Sequence, residues 1–168
     1  MLLMMGGSSG AQSVNRALRE AIGRITETFD VAHICGKGNL DPDMAGTPGY
    51  CQTEFLDAEL PDALAAADMV LSRAGANALG EFQQLGRPML LVPYPKGASR
   101  GDQILNAESL RKRGLCHVLA QEQMTPETLA QAILDTWADR ERLEKNLREA
   151  SPADGTKRVL EMIEEIQR

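Results

Sequence analysis

The stretch Met4-Met5-Gly6-Gly7-Ser8-Ser9-Gly10-Ala11 decides the fold, because it joins a short apolar run to a long helical pattern. Such a join is typical of a strand, a tight turn and the start of a helix. Glycine adopts backbone angles closed to other residues and lets a ligand approach the main chain. The unpaired N–H groups of a first helical turn suit an anion such as a phosphate. The turn is therefore a candidate diphosphate site, and a strand-to-helix turn without any ligand fits these residues equally well.

The composition is that of one ordinary globular domain. The chain has 168 residues, of which 43% are hydrophobic and 25% charged, so a substantial core is expected. The net charge of -6 gives no support for a nucleic-acid partner. No apolar run is long enough for a membrane span. Because the chain begins directly on an apolar strand, we expect a domain excised from a longer protein or one half of a two-chain system.

The cysteines and histidines do not predict a metal site. Cys35, Cys51 and Cys116 lie in or beside apolar runs, so we expect buried, reduced thiols in a cytosolic protein. No pair of cysteines has the CxxC spacing of a metal ligand or redox motif. His33 and His117 also fall in such runs, where a core or edge histidine is the expected role.

Apolar runs alternate with helical patterns along the whole chain. The predicted strands are 2–5, 31–35, 50–53, 69–72, 89–92 and 116–119. The predicted helices are 11–28, 60–67, 75–85, a helix from 102, a helix from 126, 140–150 and 155–167. Six short apolar strands separated in this way predict an α/β fold with a doubly wound, parallel, six-stranded, Rossmann-like sheet. Ligands of such sheets bind beyond the carboxyl ends of the strands.

Two common nucleotide motifs do not fit the glycine turn. A dinucleotide fingerprint needs G-x-G-x-x-G and an acid after the second strand, but residues 6–10 are off this pattern and the first acid after that strand is Asp41. A Walker loop ends in Gly-Lys-Ser/Thr, which Gly36-Lys37-Gly38 does not match. Both comparisons argue against these two phosphate-binding loops.

Two further strand ends carry candidate ligand groups. The run 72–81 ends in Glu81, whose carboxylate could accept hydrogen bonds from the two hydroxyls of a ribose. A solvated helix glutamate is the alternative for Glu81. In the run 101–107, Asp102 and Gln103 could contact sugar hydroxyls, or Asp102 could cap the helix that follows it.

Several short motifs occur together in a fixed order. They are Gly-Gly-Ser-x-Gly-Ala at 6–11, Thr-Glu-Phe-Leu at 53–56, Ser-Arg-Ala-Gly-Ala at 72–76 leading to Glu81, Gly-Arg-Pro at 86–88, Leu-Val-Pro-Tyr at 91–94, and Asp-Gln at 102–103 before Asn-Ala at 106–107. Taken together, they resemble the C-terminal half of the MurG-like UDP-N-acetylglucosamine transferases. The match covers nearly the whole chain and is more specific for the wider glycosyltransferase family than for this branch of it.

The resemblance implies that residues 1–168 are the donor-binding domain of a two-domain GT-B enzyme with a glycosyltransferase family 28 C-terminal domain. Such an enzyme is an inverting hexosyltransferase that adds GlcNAc from UDP-GlcNAc to undecaprenyl-pyrophosphoryl-MurNAc-pentapeptide, forming lipid II for peptidoglycan. The lipid-linked acceptor would bind through an N-terminal domain or partner subunit outside this chain. The resemblance also implies a cytoplasmic enzyme that is peripheral at the inner face of the membrane.

The same resemblance assigns roles to individual residues. It implies diphosphate contacts at Gly7, Ser8, Ser9 and Gly10, uracil and ribose contacts at Phe55, Leu56 and Glu81, a helix N-terminus facing phosphate and ribose at Ala76, Asn77 and Ala78, donor-sugar contacts at Asp102 and Gln103, and a supporting role for Arg73 in orienting the loop or pairing a carboxylate. Members of the family often carry Gln at the position of Asp102 and a hydroxyl residue at that of Ala78. These departures concern the donor sugar and one phosphate contact.

The chemistry implied for this chain is binding without a complete catalytic set. We expect no metal or other cofactor, since no Asp-x-Asp motif is present, and we find no catalytic base in the sequence. The isolated chain is therefore expected to be inactive. Two other interpretations stay open: the donor subunit of a split GT-B enzyme with another lipid-linked or polysaccharide acceptor, and a non-catalytic nucleotide-binding α/β domain.

Overall fold

A computed structural model describes residues 1–6, 11–97, 101–150 and 162–165. The strands are β1 (Leu2–Met5), β2 (Val31–Ile34), β3 (Tyr50–Thr53), β4 (Met69–Ser72), β5 (Met89–Leu91) and β6 (His117–Val118). The α-helices are α1 (Gln12–Glu20), α2 (Ile22–Ile25), α3 (Leu60–Ala66), α4 (Ala76–Leu85), α5 (Asp102–Lys112), α6 (Pro126–Ala138) and α7 (Arg140–Glu149). Short 3-10 turns span Pro42–Met44 and Gln121–Gln123, and residues 162–165 are helical.

The six strands form one parallel sheet in the order β3-β2-β1-β4-β5-β6. The chain first builds outward from β1 to β3 and then returns to the other side of β1. This reversal leaves a crevice at the carboxyl ends of β1 and β4, where ligands of doubly wound sheets bind. The predicted doubly wound, six-stranded, Rossmann-like sheet is therefore confirmed.

Both faces of the sheet are buried, which explains the nearly continuous apolar runs. In β1, Leu2 and Met4 belong to one core while Leu3 belongs to the other, as the alternation of side chains along a strand requires. In β4, Val70 packs on the same side as Leu3. Helices α1, α2 and α6 cover the first face, and α4 and α5 cover the second.

The helix start and stop signals are confirmed where they are strongest. Helix α4 ends at Gly86, which has a φ of 65° in the left-handed region that favours glycine at this position. Helix α6 begins after Thr125, whose hydroxyl accepts from the N–H of Thr128 in a capping box, with Pro126 in the first turn. Both signals combine a residue type with one backbone geometry, so they can be recognised without tertiary information.

Two sequence predictions are wrong in detail. The helix predicted over 11–28 divides at Ala21 into α1 and α2 and ends at Ile25; the Thr26 hydroxyl donates to Ile22 O at 3.0 Å, a local bond that competes with further helix. Cys51 is exposed rather than buried, unlike Cys35 and Cys116, because β3 is an edge strand. Most of the predicted helix 155–167 lies outside the described residues.

Within the described ranges, no helix is both long and apolar enough to cross a membrane.

Candidate functional site

The crevice at the carboxyl ends of β1 and β4 has an open helix end on one side. Gly7, Ser8, Ser9 and Gly10, which are the predicted diphosphate ligands, lie outside the described residues. Helix α1 follows them, and its N-cap, Ala11, offers no side-chain hydrogen bond to the first turn. That turn also carries no acidic residue. The first backbone N–H groups of a helix lack partners within it, so this end of α1 can receive an anion.

Arg73 lies directly after β4 and fills the floor of the crevice. Its side chain is only 6% exposed. One terminal nitrogen, Nη1, donates to the backbone oxygens of Val92 and Pro93 at 3.0 and 3.3 Å. The other, Nη2, donates to Ser13 Oγ at 3.2 Å, and the guanidinium carbon lies 4.1 Å from the centre of the Tyr94 ring. One side chain thus joins the ends of β4 and β5 to the first turn of α1.

Of the two supporting roles considered for Arg73, only the loop contacts are present here. The guanidinium bonds to the backbone after β5, and among the described residues no carboxylate pairs with it. Its Nε is buried and has no hydrogen-bond partner within the described ranges. Burial lowers the pKa of Arg73, opposed by the neighbouring Tyr94, but an arginine remains charged throughout the range of protein chemistry.

Short polar links hold the neighbouring strand ends in place. Ser72 Oγ donates to Met5 O at 2.9 Å, which ties the end of β4 to the end of β1. The amide of Asn106 on α5 donates to Ala74 O at 3.1 Å. Ser13 Oγ donates to Gln121 Oε1 at 3.0 Å, which extends the links to the segment after β6. The floor of the crevice is therefore built from polar groups of four strand ends and two helices, with β1 contributing the backbone oxygen of Met5.

Helix α4 presents the second group of predicted ligands. Ala76, Asn77 and Ala78 form its first turn after Gly75, which gives that turn no side-chain cap, so a second open helix end faces the same edge of the sheet. Glu81 follows in the second turn and is exposed. No hydrogen bond or ion pair to its carboxylate is present in the described part of the chain, so both the ribose contact and a solvated glutamate stay open for Glu81.

Asp102 and Gln103 begin α5. Asp102 is exposed and does not cap the helix, since the N-cap is Gly101, whose φ of 82° places it in the left-handed region. Helix capping by Asp102 is therefore wrong. Gln103 Oε1 accepts from the backbone N–H of Tyr94 at 3.3 Å, which draws the start of α5 toward the loop that Arg73 holds.

Phe55 and Leu56 lie on the far arm of the sheet, after β3. Phe55 is 62% exposed, and Leu56 packs partly against the core. Glu54 Oε1 accepts from the N–H of Gly38 at 2.6 Å, which joins the loops after β2 and β3. Phe55 and Glu81 both lie beyond the carboxyl ends of the strands. They are not adjacent there, because β3 lies three strand spacings from β4, or about 14 Å.

The sequence interpretation missed a buried chain of hydrogen bonds on this far arm. Asn15 Nδ2 donates to Cys35 O at 2.8 Å, and Asn15 Oδ1 lies 3.0 Å from His33 Nε2. His33 Nδ1 lies 2.7 Å from Tyr50 Oη, which accepts from Arg19 Nε at 3.4 Å. The only signals in the sequence were a histidine in an apolar strand and an asparagine on the apolar face of a helix.

The donor and the acceptor of each hydrogen bond from Asn15 to Tyr50 follow from the backbone oxygen of Cys35, which can only accept. Because Cys35 O can only accept, the Asn15 amide must turn its nitrogen to it and its oxygen to His33. Nε2 of His33 therefore carries the proton, Nδ1 accepts, and the Tyr50 hydroxyl donates. Burial, aided by the charge of Arg19, lowers the pKa of His33 to about 3, so this ring is neutral. We call Asn15, His33 and Tyr50 the neutral chain, and the charged Arg19 donates to it at Tyr50.

No grouping of three or more His, Cys, Asp or Glu side chains able to hold a metal ion occurs in the parts of the chain that the structure describes. The expectation of a site without metal or cofactor stays a prediction.

The model of the glycosyltransferase family 28 C-terminal domain matches residues 1–166. The chain belongs to this family. A family 28 relative from Geobacillus kaustophilus is named UDP-N-acetylglucosamine–N-acetylmuramyl-(pentapeptide) pyrophosphoryl-undecaprenol N-acetylglucosamine transferase; it is 47% identical over all of this chain and 47% of its own length. A relative of the same name from Lachnospira eligens is 40% identical over 98% of this chain and 47% of its own length. The chain thus spans about half the length of the curated relatives it matches.

Solved structures support the same placement. The crystal structure of MurG from Acinetobacter baumannii superposes with a TM-score of 0.81 at 27% identity, covering 98% of this chain and 49% of that one. A calicheamicin glycosyltransferase superposes with a TM-score of 0.70 at 22% identity, covering 97% of this chain and 42% of the other. The second likeness concerns the fold alone. Family 28 membership and the MurG-like, GT-B type of fold predicted from the motifs are confirmed.

Proposed function

We propose that this chain is the donor-binding half of an inverting N-acetylglucosaminyltransferase that uses UDP-GlcNAc and forms lipid II on an undecaprenyl-linked acceptor. The relatives' names supply the donor and the acceptor class. The observation that carries the proposal is the uncapped N-terminus of α1, which has no acid in its first turn and lies where the strand order reverses. A nucleoside diphosphate is the ligand chemistry that such a helix end favours.

In this proposal, α1 acts on the leaving group. When an acceptor hydroxyl attacks the anomeric carbon, the bond to the UDP diphosphate breaks and negative charge grows on its oxygens. N–H groups already aimed at that position stabilise the charge without further rearrangement. The glycine turn at 6–10 would bring the diphosphate close enough to the main chain for this contact.

The other predicted ligands complete the donor site in this proposal. Glu81 would accept from the ribose hydroxyls, and the exposed ring of Phe55 would border the uracil beside Leu56. Asp102 and Gln103 would contact the GlcNAc hydroxyls from the start of α5. The nucleotide would then extend across the carboxyl edge of the sheet, from the arm that carries β3 to the switch point.

The acceptor and the base that deprotonates it belong, in this proposal, to the part of the protein that corresponds to the other half of the relatives. That part would bind the lipid-linked acceptor at the cytoplasmic face of the membrane. This chain would therefore bind UDP and UDP-GlcNAc but not transfer sugar alone. Measurable transfer by the isolated chain would contradict this division of roles.

Calorimetric titration with UDP tests the donor site directly. We expect saturable binding to the wild-type chain, and no heat at millimolar UDP would refute the proposal. Glu81→Gln should weaken UDP binding by about tenfold, the effect of losing a hydrogen bond to a charged group. The difference between the variant and the wild type should be smaller for 2′-deoxy-UDP than for UDP, because the missing hydroxyl is one of the two that Glu81 would bind.

Glu20→Gln is the matched control. It removes an exposed helix carboxylate at the opposite end of α1, so it changes net charge by the same amount as Glu81→Gln. UDP affinity should stay within about twofold of the wild type, as expected for a screened, distant surface charge. An equal loss in both variants would show that Glu81 has no specific role.

A further inference from the structure

We propose that Arg73 is a built-in counter-charge for the diphosphate, held beneath the first turn of α1 and acting on the ligand through its electric field. The proposal rests on the proposed function and adds a positioning residue to the donor site. It also explains why a cation is buried at a place where the described chain offers it no carboxylate.

The first observation is that the charge of Arg73 is not compensated within the described residues. The side chain is 6% exposed, all of its observed acceptors are neutral, and its Nε is buried without a partner. A buried cation without a counter-ion is costly. An anion bound nearby would relieve that cost, so the apo site already favours an anionic ligand.

The second observation is where the cation sits. Nη2 of Arg73 is 3.2 Å from the hydroxyl of Ser13, the second residue of α1. The N-terminal end of a helix is the positive end of its dipole, where anions are stabilising and cations are not. The guanidinium and the helix end thus repel each other and would both gain from the same bound diphosphate.

The third observation is that the guanidinium is held in place. It donates to two consecutive backbone oxygens and lies 4.1 Å from the centre of the Tyr94 ring, a geometry that also stabilises a cation. The group therefore cannot withdraw into solvent when the site is empty. A charge fixed before the ligand arrives needs no reorganisation when charge grows on the leaving diphosphate.

Arg87 supplies a control of the same chemistry at the opposite edge of the sheet. It precedes β5 rather than following a strand, its Nη2 donates to Ala65 O at 2.9 Å, and its Nε is likewise buried without a partner. Replacing Arg87 removes an equal charge and a comparable backbone contact. It does so far from the carboxyl edge where the nucleotide would bind.

The experiment compares uridine, UMP and UDP, because these ligands share a base and a sugar but differ in charge. Binding is measured at low salt for the wild type, Arg73→Gln, Arg73→Lys and Arg87→Gln. Arg73→Gln should weaken UDP by about tenfold or more, UMP by less, and uridine by less than about twofold. Arg73→Lys keeps the charge and should retain UDP affinity within about threefold, and Arg87→Gln should match the wild type.

Several results would overturn the proposal. An equal loss for uridine and UDP in Arg73→Gln would indicate a structural role only, as would a loss in Arg73→Lys as large as that in Arg73→Gln. If Arg73→Gln does not fold, the wild type and Arg73→Lys are compared by thermal unfolding in pyrophosphate and in chloride at equal ionic strength. Pyrophosphate should stabilise both proteins more than chloride does, and no such difference would refute the counter-charge.

The UDP assignment and the role of Arg73 can be refuted independently. If wild-type protein binds no UDP but inorganic pyrophosphate still binds in a manner that depends on the charge at Arg73, the nucleotide assignment is wrong and the anion site stands. If the wild type binds UDP but none of the Arg73 variants changes the charge dependence across the three ligands, the donor site stands and the role of Arg73 is wrong.

Discussion

Two buried polar groups lie beneath the same edge of the sheet and solve the problem of burial differently. On the arm of β2 and β3, His33 is 1% exposed, is neutral, and has a hydrogen-bond partner at each ring nitrogen. At the switch point, Arg73 is 6% exposed and charged, and its Nε has no partner among the residues that the structure describes. Both are enclosed, but only the first forms a complete hydrogen-bonded set.

The difference separates a region whose buried polar groups satisfy one another from a region in which, in our proposal, a ligand supplies the missing charge. Buried polar groups are normally satisfied within the protein, and a fully satisfied network makes a core rigid and specific. The neutral chain follows this rule, since none of its buried side-chain nitrogen or oxygen atoms lacks a hydrogen-bond partner. Arg73 and Arg87 both break it within the described residues, but only Arg73 lies at the carboxyl ends of the strands, where the proposed ligand would bind.

The largest expected effect is a loss of stability in acid caused by His33. Its pKa is about 3 in the folded protein against 6.5 ordinarily, so between these values the unfolded state binds a proton that the folded state does not. Stability from this group is therefore complete above pH 6.5 and is lost as the pH falls. The slope is about 1.4 kcal/mol per pH unit, and the full loss is on the order of 5 kcal/mol.

Urea unfolding at several values between pH 7 and pH 5 measures this slope. That window lies above the range of carboxylates such as Asp139, whose pKa is lowered below its usual value of 3.8 mainly by the hydrogen bond from Arg142. His33→Gln should flatten the slope, while His117→Gln, which alters a half-buried histidine bonded to Asp139, should retain it. A wild-type protein with constant stability over this window would show that His33 titrates normally.

The second largest expected effect is the loss of stability on replacing Asn15, whose amide orients the hydrogen bonds of the neutral chain. Asn15→Leu keeps the branched shape of the side chain but leaves Cys35 O and the Nε2–H of His33 without partners, and Asn15 itself is only 2% exposed. Each orphaned buried group costs about 1–3 kcal/mol, so we expect a loss of about 3 kcal/mol in the free energy of unfolding. Chemical denaturation at pH 7 measures it.

Thr136→Val provides the matched control for Asn15→Leu. Thr136 is fully buried in α6 and donates to Ala132 O at 2.7 Å within its own helix. The Ala132 carbonyl also accepts within the helix, so removing the Thr136 hydroxyl leaves no buried group without a partner. The free energy of unfolding should fall by about 1 kcal/mol or less. Equal losses in the two variants would mean that the neutral chain is no more valuable than a local side-chain bond.

The sequence predicts well those features that depend on local pattern. Six apolar runs determine the six strands, and Gly86 and Thr125 mark helix ends, because each signal lies within a few residues. The exposure of Cys51 and the network around His33 depend instead on which strand lies at the edge and which helix covers it. Asn15 and His33 are 18 residues apart, so neither identifies the other as a partner until the sheet has formed.

The candidate site divides in the same way. Glycine turns and helix starts at strand ends locate its edge, because parallel strands bring their carboxyl ends together. What could not be predicted is that Arg73 bonds to the loop after β5 and to Ser13, since these contacts join residues 19 to 60 positions apart. The role of a buried cation depends on such partners and not on its neighbours in sequence.

The smallest expected effect comes from Tyr50→Phe, which removes one of the two side chains that bond to the His33 ring. Tyr50→Phe removes the hydroxyl that donates to Nδ1 of His33 at 2.7 Å, while Arg19 keeps its bonds to Asn39 O and Gln52 Oε1. Only one buried acceptor is orphaned, so the loss should be about 1 kcal/mol. The proton should stay on Nε2, because Asn15 and Cys35 O still require it there.

Nitrogen NMR of the His33 ring tests whether Asn15, rather than Tyr50, determines its tautomer. In the wild type and in Tyr50→Phe we expect the same tautomer, with Nε2 protonated and Nδ1 not, from pH 5 to pH 8. Asn15→Leu should release that constraint, because the acceptor of the Nε2 proton is gone while Tyr50 can donate or accept. A change of tautomer in Tyr50→Phe but not in Asn15→Leu would show that Tyr50 determines the tautomer of His33. The hydrogen bond from Asn15 to Cys35 O would then not determine it.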